Sequence, residues 1–103
     1  MAEPLSMSIQ SFADDISEKI FLGIRDKEVS PFPQDVLAAA ERKLDMLEAA
    51  TTIKDLASPP GNRLEKLKGD LIECWSIRIN DQWRIIFRWS DDGPYDVQIS
   101  DYH

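Results

Sequence analysis

Between Trp75 and Trp89 the chain changes side at every residue. Trp75, Ile77 and Ile79 alternate with Ser76, Arg78 and Asn80, and Trp83, Ile85, Phe87 and Trp89 alternate with Arg84, Ile86 and Arg88. A period of two is that of a β-strand with one apolar face. If the two runs form a hairpin, Ile77 opposes Ile85, because a slip of one residue would carry arginines into the core. That parity needs an odd connection, and Asn80-Asp81-Gln82 supplies three residues, with a bulge expected. Asp91-Asp92-Gly93-Pro94 makes the next turn, after which Tyr95, Val97 and Ile99 are expected on the apolar side of a last strand.

Upstream the period is helical. A short first strand is expected over Met7–Phe12, followed by a helix capped by Ser11 or Asp14 that carries Ile16, Ile20 and Ile24 on one face and ends near Gly23. Pro33 is placed to open a second helix, in which Leu37, Ala40, Leu44 and Leu47 recur at helical spacing. Thr52 and Asp55 can cap one further turn, and Ser58-Pro59-Pro60-Gly61 marks a loop before the period changes. Helices followed by a meander of strands imply an α+β fold, with two N-terminal helices covering one face of a mainly antiparallel sheet of four to five strands.

At 103 residues the chain suits one domain with a modest core. The single cysteine, Cys74, excludes an internal disulfide and is expected to be an ordinary strand residue. No apolar run approaches the roughly 20 residues of a membrane-spanning helix, and the first residues carry neither a basic start nor an apolar segment, so a cytoplasmic protein without a membrane partner is expected. The formal net charge of −7 opposes indiscriminate attraction to nucleic acid. The excess acid lies mostly before residue 56, while Arg63, Lys66, Lys68, Arg78, Arg84 and Arg88 fall close together in the second half.

Two features bear on chemistry. The sheet face away from the helices is expected to collect Arg78, Arg84 and Arg88 with Gln98, Ser100 and Tyr102. Guanidinium forks beside an aromatic hydroxyl suit a bent RNA backbone, whereas the bland alternative is a solvated face. His103 is the lone histidine and ends the chain in Asp101-Tyr102-His103; imidazole is the side chain that titrates near neutrality, although terminal residues are commonly frayed. Trp75, Trp83 and Trp89 all fall on the apolar parity, which favours packing over base stacking.

The residues Pro-Gly-Asn-Arg-Leu-Glu-Lys-Leu-Lys-Gly-Asp at 60–70, Trp-Ser-Ile-Arg-Ile-Asn-Asp-Gln-Trp-Arg-Ile at 75–85 and the terminal Asp-Tyr-His resemble the HigB toxins of the RelE/ParE superfamily, also called the plasmid maintenance system killer family. The resemblance runs from Met7, taking in Lys-Leu-Asp-Met-Leu at 43–47 and Ala-Ala-Thr at 49–51, and marks residues 1–6 as an extension of a single domain over 7–103. It implies the toxin of a type II toxin-antitoxin system: a ribosome-dependent mRNA endonuclease that uses no metal and no cofactor. In such chemistry the ribose 2′-oxygen attacks its own adjacent phosphate while a base removes its proton, cations stabilise the phosphorane and an acid protonates the leaving 5′-oxygen.

By direct match the resemblance gives Asp101, Tyr102 and His103 to catalysis, with His103 as general acid, Tyr102 stacking or aligning and Asp101 orienting its neighbours. Arg78 and Arg84 are expected to stabilise phosphate, with Lys68 and Arg88 as further cations. Some HigB toxins carry a histidine where this chain has Glu65, and related RelE toxins pair a glutamate base with a terminal histidine, so Glu65 is expected to be the partner of His103. Where relatives continue with basic residues after Asp70, this chain has Leu71-Ile72-Glu73. The expected partners are a HigA-like helix-turn-helix antitoxin, the ribosome and mRNA, with operator DNA reached only through the antitoxin; the acidic first half of the chain is an expected antitoxin surface, which charge reversals along 35–48 would test. Two other readings share the fold: a weakly active or non-catalytic toxin acting as co-repressor, and a ParE-like gyrase inhibitor.

Overall fold

A computed structural model describes residues 9–71 and 73–101 of the chain. Helix α1 spans Asp15–Leu22 and α2 spans Gln34–Ala49. The strands are β1 (Glu65–Lys66), β2 (Trp75–Arg78), β3 (Trp83–Ser90) and β4 (Gly93–Asp101), joined in that order as one antiparallel sheet. The expected α+β arrangement holds, with four strands among the described residues. Among the described residues no helix is long and apolar enough to cross a membrane.

Local chemistry accounts for the helix ends. Asp14 caps α1, its carboxylate accepting the Ser17 amide at 2.8 Å, as an N-cap acid satisfies an otherwise orphaned donor. Gly23 stops the helix in the left-handed region at φ +78°, where a residue without a Cβ is at ease. Ile24, expected on the helix face, lies beyond that stop and is exposed. Helix α2 begins after Pro33 and buries Val36, Leu37, Ala40, Leu44 and Leu47. Thr52 and Asp55 form a reciprocal capping box over the 3-10 turn Ile53–Ala57. Both helices press on the face that carries Ile77, Ile85, Phe87 and Val97, with the three tryptophans packed around that core.

The hairpin follows the parity argument. Ile77 pairs with Ile85 and Arg78 with Arg84, and the turn closes through the Ile79 and Asn80 amides on the Trp83 carbonyl. The Asn80 side chain accepts from the amides of Gln82 and Trp83, both at 2.8 Å, which fixes the three-residue connection.

Two expectations fail at β4. Tyr95 does not share the apolar face with Val97 and Ile99. The register shifts so that Phe87 on β3 faces two residues, Asp96 and Val97, on β4, and Tyr95 pairs with Arg88 on the outer face. Asp96 takes φ +52° at this bulge, the left-handed conformation that a first bulge position can adopt. The expected first strand is the second failure: Met7 and Ser8 lie outside the described residues, and from Ile9 onward there is one parallel bridge, Phe12 to Val97. Around it, Gln10 and Ala13 donate to the carbonyls of Pro94 and Val97, and the Val97 amide donates to the Ser11 carbonyl. The Ser11 hydroxyl accepts from the Asp96 amide at 2.9 Å, and the buried Ser17 hydroxyl accepts from the Ile99 amide at 2.9 Å.

Candidate active site

The outer face of the sheet is not bare at its centre. Arg84, expected on an open face, is only 6% exposed, and Ser76 beside it on β2 is fully buried. A buried guanidinium needs acceptors for its donors. Arg84 donates from Nε to Ser76 Oγ at 2.9 Å and from Nη2 to the Arg63 carbonyl at 3.1 Å, and the same Nη2 lies 3.2 Å from Glu65 Oε1. The Arg63 carbonyl reaches it because the 3-10 turn Pro60–Asn62 ends with Arg63 in the left-handed region at φ +49°.

Glu65 comes from the other side. Its strand is two residues long and pairs with β2, Glu65 opposite Ser76, which lays the carboxylate across the Arg84 fork. The Glu65 side chain keeps about half its surface in solvent (54%), so the pair has one buried and one accessible partner. Together with Arg63, Arg78, Asn80 and Asp81 these two residues line an open cleft of about 310 Å³. At the rim Arg78 forms an ion pair with Asp81, whose side chain is 97% exposed.

The other sequence-predicted residues lie around this cleft at different removes. Asp101 ends β4 opposite Trp83, and its carboxylate accepts from Gln82 at 3.3 Å, so the last described residue borders the hairpin that carries Arg84. Ser100 and Gln98 stand opposite Arg84 and Ile86 as expected. Arg88 sits at the far end of β3 with Glu73 and Asp96 each 3.7 Å away. Lys68 is exposed in the loop before the turn Gly69–Leu71 and does not line the cleft. Tyr102 and His103 lie outside the described residues. Sequence reasoning does not single out Arg63 as a site residue, although it lies inside the Pro-Gly-Asn-Arg motif; a turn ending in Pro-Gly-Asn is the signal that could have found it.

Chemically, the cleft offers a carboxylate within hydrogen-bonding range of a fixed guanidinium, with a second guanidinium at the rim. An arriving phosphate competes with Glu65 for Arg84, which would leave the carboxylate free to take a proton.

Comparison with known proteins bears on this arrangement. The sequence model of the HigB-like toxins, described as RelE-like toxins of the type II toxin-antitoxin system HigB, matches residues 10–103. Toxin HigB-1 of Vibrio cholerae is 47% identical over 66 residues, covering 64% of this chain and 70% of that protein. An endoribonuclease HigB of Proteus vulgaris is 36% identical over 70 residues, covering 68% of this chain and 74% of the relative. An uncharacterized protein of Haemophilus influenzae is 40% identical over 63 residues, 61% of this chain and 62% of its own length. With the helix pair, the four-stranded sheet and a match over nearly its whole length, the chain belongs to the HigB-like toxins, the RelE-like toxins of type II toxin-antitoxin systems.

Proposed function

We propose that this chain is an endoribonuclease toxin that cuts mRNA on the translating ribosome, without a metal, and is held in check by a HigA-like helix-turn-helix antitoxin through which it reaches operator DNA. The observation that carries the reading is the Glu65 carboxylate set 3.2 Å from the buried Arg84 guanidinium at an open cleft. The name of the Proteus relative, an endoribonuclease, supports the same reaction class.

In this mechanism a phosphate of the message docks on Arg84 and Arg78, displacing the exposed Asp81 from the second. Glu65 takes the proton of the ribose 2′-hydroxyl as its oxygen attacks the adjacent phosphorus. The guanidiniums stabilise the charge of the phosphorane, and His103 gives a proton to the 5′-oxygen as that bond breaks, leaving a 2′,3′-cyclic phosphate and a free 5′-hydroxyl. Tyr102 aligns or stacks on a flanking base and Asp101 orients the tail. Lys68 and Arg88 contact backbone farther from the cut. Because Arg84 is held by Ser76 and Arg63, little reorganisation is needed when charge develops.

A translation reaction with purified ribosomes and a reporter message tests this. The wild-type chain should cleave the message, and Glu65→Gln and His103→Ala should each lower the rate by roughly 10²–10⁴-fold, the range for lost acid or base catalysis. Cleavage at the wild-type rate by both variants would overturn the residue assignments. Gyrase arrest without cleavage would favour the inhibitor reading, and operator binding with the antitoxin alone would favour the co-repressor.

A further inference from the structure

Among the described residues the buried polar side chains are Ser17, Asn62, Ser76 and Arg84. Ser17 accepts from the Ile99 amide on β4, and Ser76 and Arg84 hold each other. Asn62 has no part in the reaction as derived above, yet it is fully buried and each end of its side-chain amide is engaged. Its Nδ2 donates to the Leu56 carbonyl at 3.1 Å and to the Ser58 carbonyl at 3.4 Å, and its Oδ1 accepts from the Lys43 ammonium on α2 at 2.5 Å. The two ends of the amide cannot be exchanged, because that would set an NH2 group against an ammonium and an oxygen against two carbonyls. The side chain thus ties α2 to the 3-10 turn Ile53–Ala57 and to the loop at Ser58. The backbone then turns directly into the cleft. The Asn62 amide donates to the Pro59 carbonyl at 2.9 Å, the Arg63 amide donates to the Pro60 carbonyl at 3.1 Å, and Arg63 takes φ +49°. A non-glycine residue persists in that left-handed region only where its surroundings over-determine it. So turned, the Arg63 carbonyl meets Arg84 Nη2 at 3.1 Å, the same nitrogen that lies 3.2 Å from Glu65 Oε1.

We propose that Asn62 is a positioning residue of the cleavage site: through the Arg63 carbonyl it holds the Arg84 fork in place while Glu65 leaves that fork for the ribose hydroxyl. The inference rests on the ribonuclease reading and deepens it. During the reaction Arg84 exchanges one acceptor for another, the Glu65 carboxylate for phosphate. A carbonyl that stays on Nη2 throughout keeps the guanidinium aimed at the point where charge develops, so no reorientation is needed in the transition state. Without the Asn62 side chain the Leu56 and Ser58 carbonyls and the Lys43 ammonium lose their shared partner, and the turn is free to relax toward negative φ at Arg63. The carbonyl then swings off Nη2, and the fork pivots about Ser76 Oγ toward Glu65, which holds the carboxylate back from the ribose.

The test pairs a spectroscopic reading with a rate. Acceptors on Arg84 Nη2 hinder rotation about the Cζ–Nη2 bond, and nitrogen–proton NMR of the guanidinium measures that rotation in the free protein. Asn62→Ala should speed the rotation about tenfold, the size of one lost hydrogen bond to a charged group. It should also slow cleavage of message on programmed ribosomes by roughly tenfold to a hundredfold at saturation, with the half-saturating ribosome concentration unchanged. Asp14→Ala, which weakens the α1 cap and leaves the turn alone, should keep both readings at their wild-type values. If Asn62→Ala does not fold, Lys43→Met, which strips Asn62 Oδ1 of its donor, takes its place with the same expectations. Wild-type rotation in the folded variant overturns the proposal, and so does equal loosening in Asp14→Ala, which would make the effect one of general stability. Fast rotation with cleavage at the wild-type rate, or with a change confined to the half-saturating concentration, also overturns it and leaves the ribonuclease reading standing. A wild-type chain that cleaves no message overturns that reading, and the role of Asn62 in cleavage falls with it.

Discussion

Removing one hydroxyl, by Ser76→Ala, should cost this protein a large part of its stability. Ser76 Oγ accepts the Arg84 Nε proton at 2.9 Å where Ser76 is fully buried and Arg84 is 6% exposed, so water has little access to replace the lost acceptor. A hydrogen bond to a charged group contributes about 1.5–3 kcal/mol, and truncating one partner leaves the buried charge short of an acceptor. The hydroxyl itself contributes little packing volume. An effect of about 2 kcal/mol is therefore expected, a lowering of the urea midpoint by roughly 1–2 M and of the melting temperature by about 8–16 °C for a domain of this size. The same substitution in an Arg84→Leu background should cost less than about 0.5 kcal/mol, since no guanidinium remains to be stranded. Urea titration of the four proteins measures both values. Equal losses in the two backgrounds would refute the argument, because they would place the cost of Ser76→Ala somewhere other than Arg84.

Loss of the α1 cap in Asp14→Ala should destabilise the fold by about 1 kcal/mol in urea titration, since the Ser17 amide loses its acceptor. Gly23→Ala should also cost about 1 kcal/mol, because a Cβ is unfavourable at positive φ. Nothing crowds the new methyl, so the whole penalty lies in φ +78°, and a neutral effect in thermal melts would contradict it. The amides of Thr51 and Thr52 hold the Asp55 carboxyl below the usual carboxylate range. A folded pKa below the unfolded value of about 3.9 gives stability that is present above that value and lost as pH falls through the folded one. Melting curves from about pH 6 to about pH 2 should therefore fall less steeply on the acid side for Asp55→Asn than for wild type, and parallel curves would exclude the effect.

The parts legible in the sequence are those that local chemistry decides. The pairing of Ile77 with Ile85 follows from parity and loop length, α2 from the spacing of Leu37, Ala40, Leu44 and Leu47, and the stop at Gly23 from its freedom at positive φ. Tyr95 is misplaced because counting by twos cannot see an extra residue, and a non-glycine at the bulge leaves no mark. The burial of Arg84 is hidden for another reason. It depends on a turn some twenty residues upstream folding back to present the Arg63 carbonyl, a contact that no periodicity within β3 encodes. Lys43 escapes notice among the acids of α2, since its tether to Asn62 is likewise a long-range one.

The serines that hold the first described residues against β4 also govern how copies of this chain meet. A sheet has two rims where unpaired backbone groups can recruit a strand from another molecule, a route to aggregation. On the β4 rim residues 10–13 and the Ser17 hydroxyl already occupy the amides of Val97 and Ile99 and the carbonyls of Pro94 and Val97. The opposite rim is β1, two exposed residues long and bearing Glu65 and Lys66. The sheet is thus closed to growth at one margin and too short and charged at the other. Expressed at high concentration, the protein should stay disperse until the stretch through Ser11 is cut away.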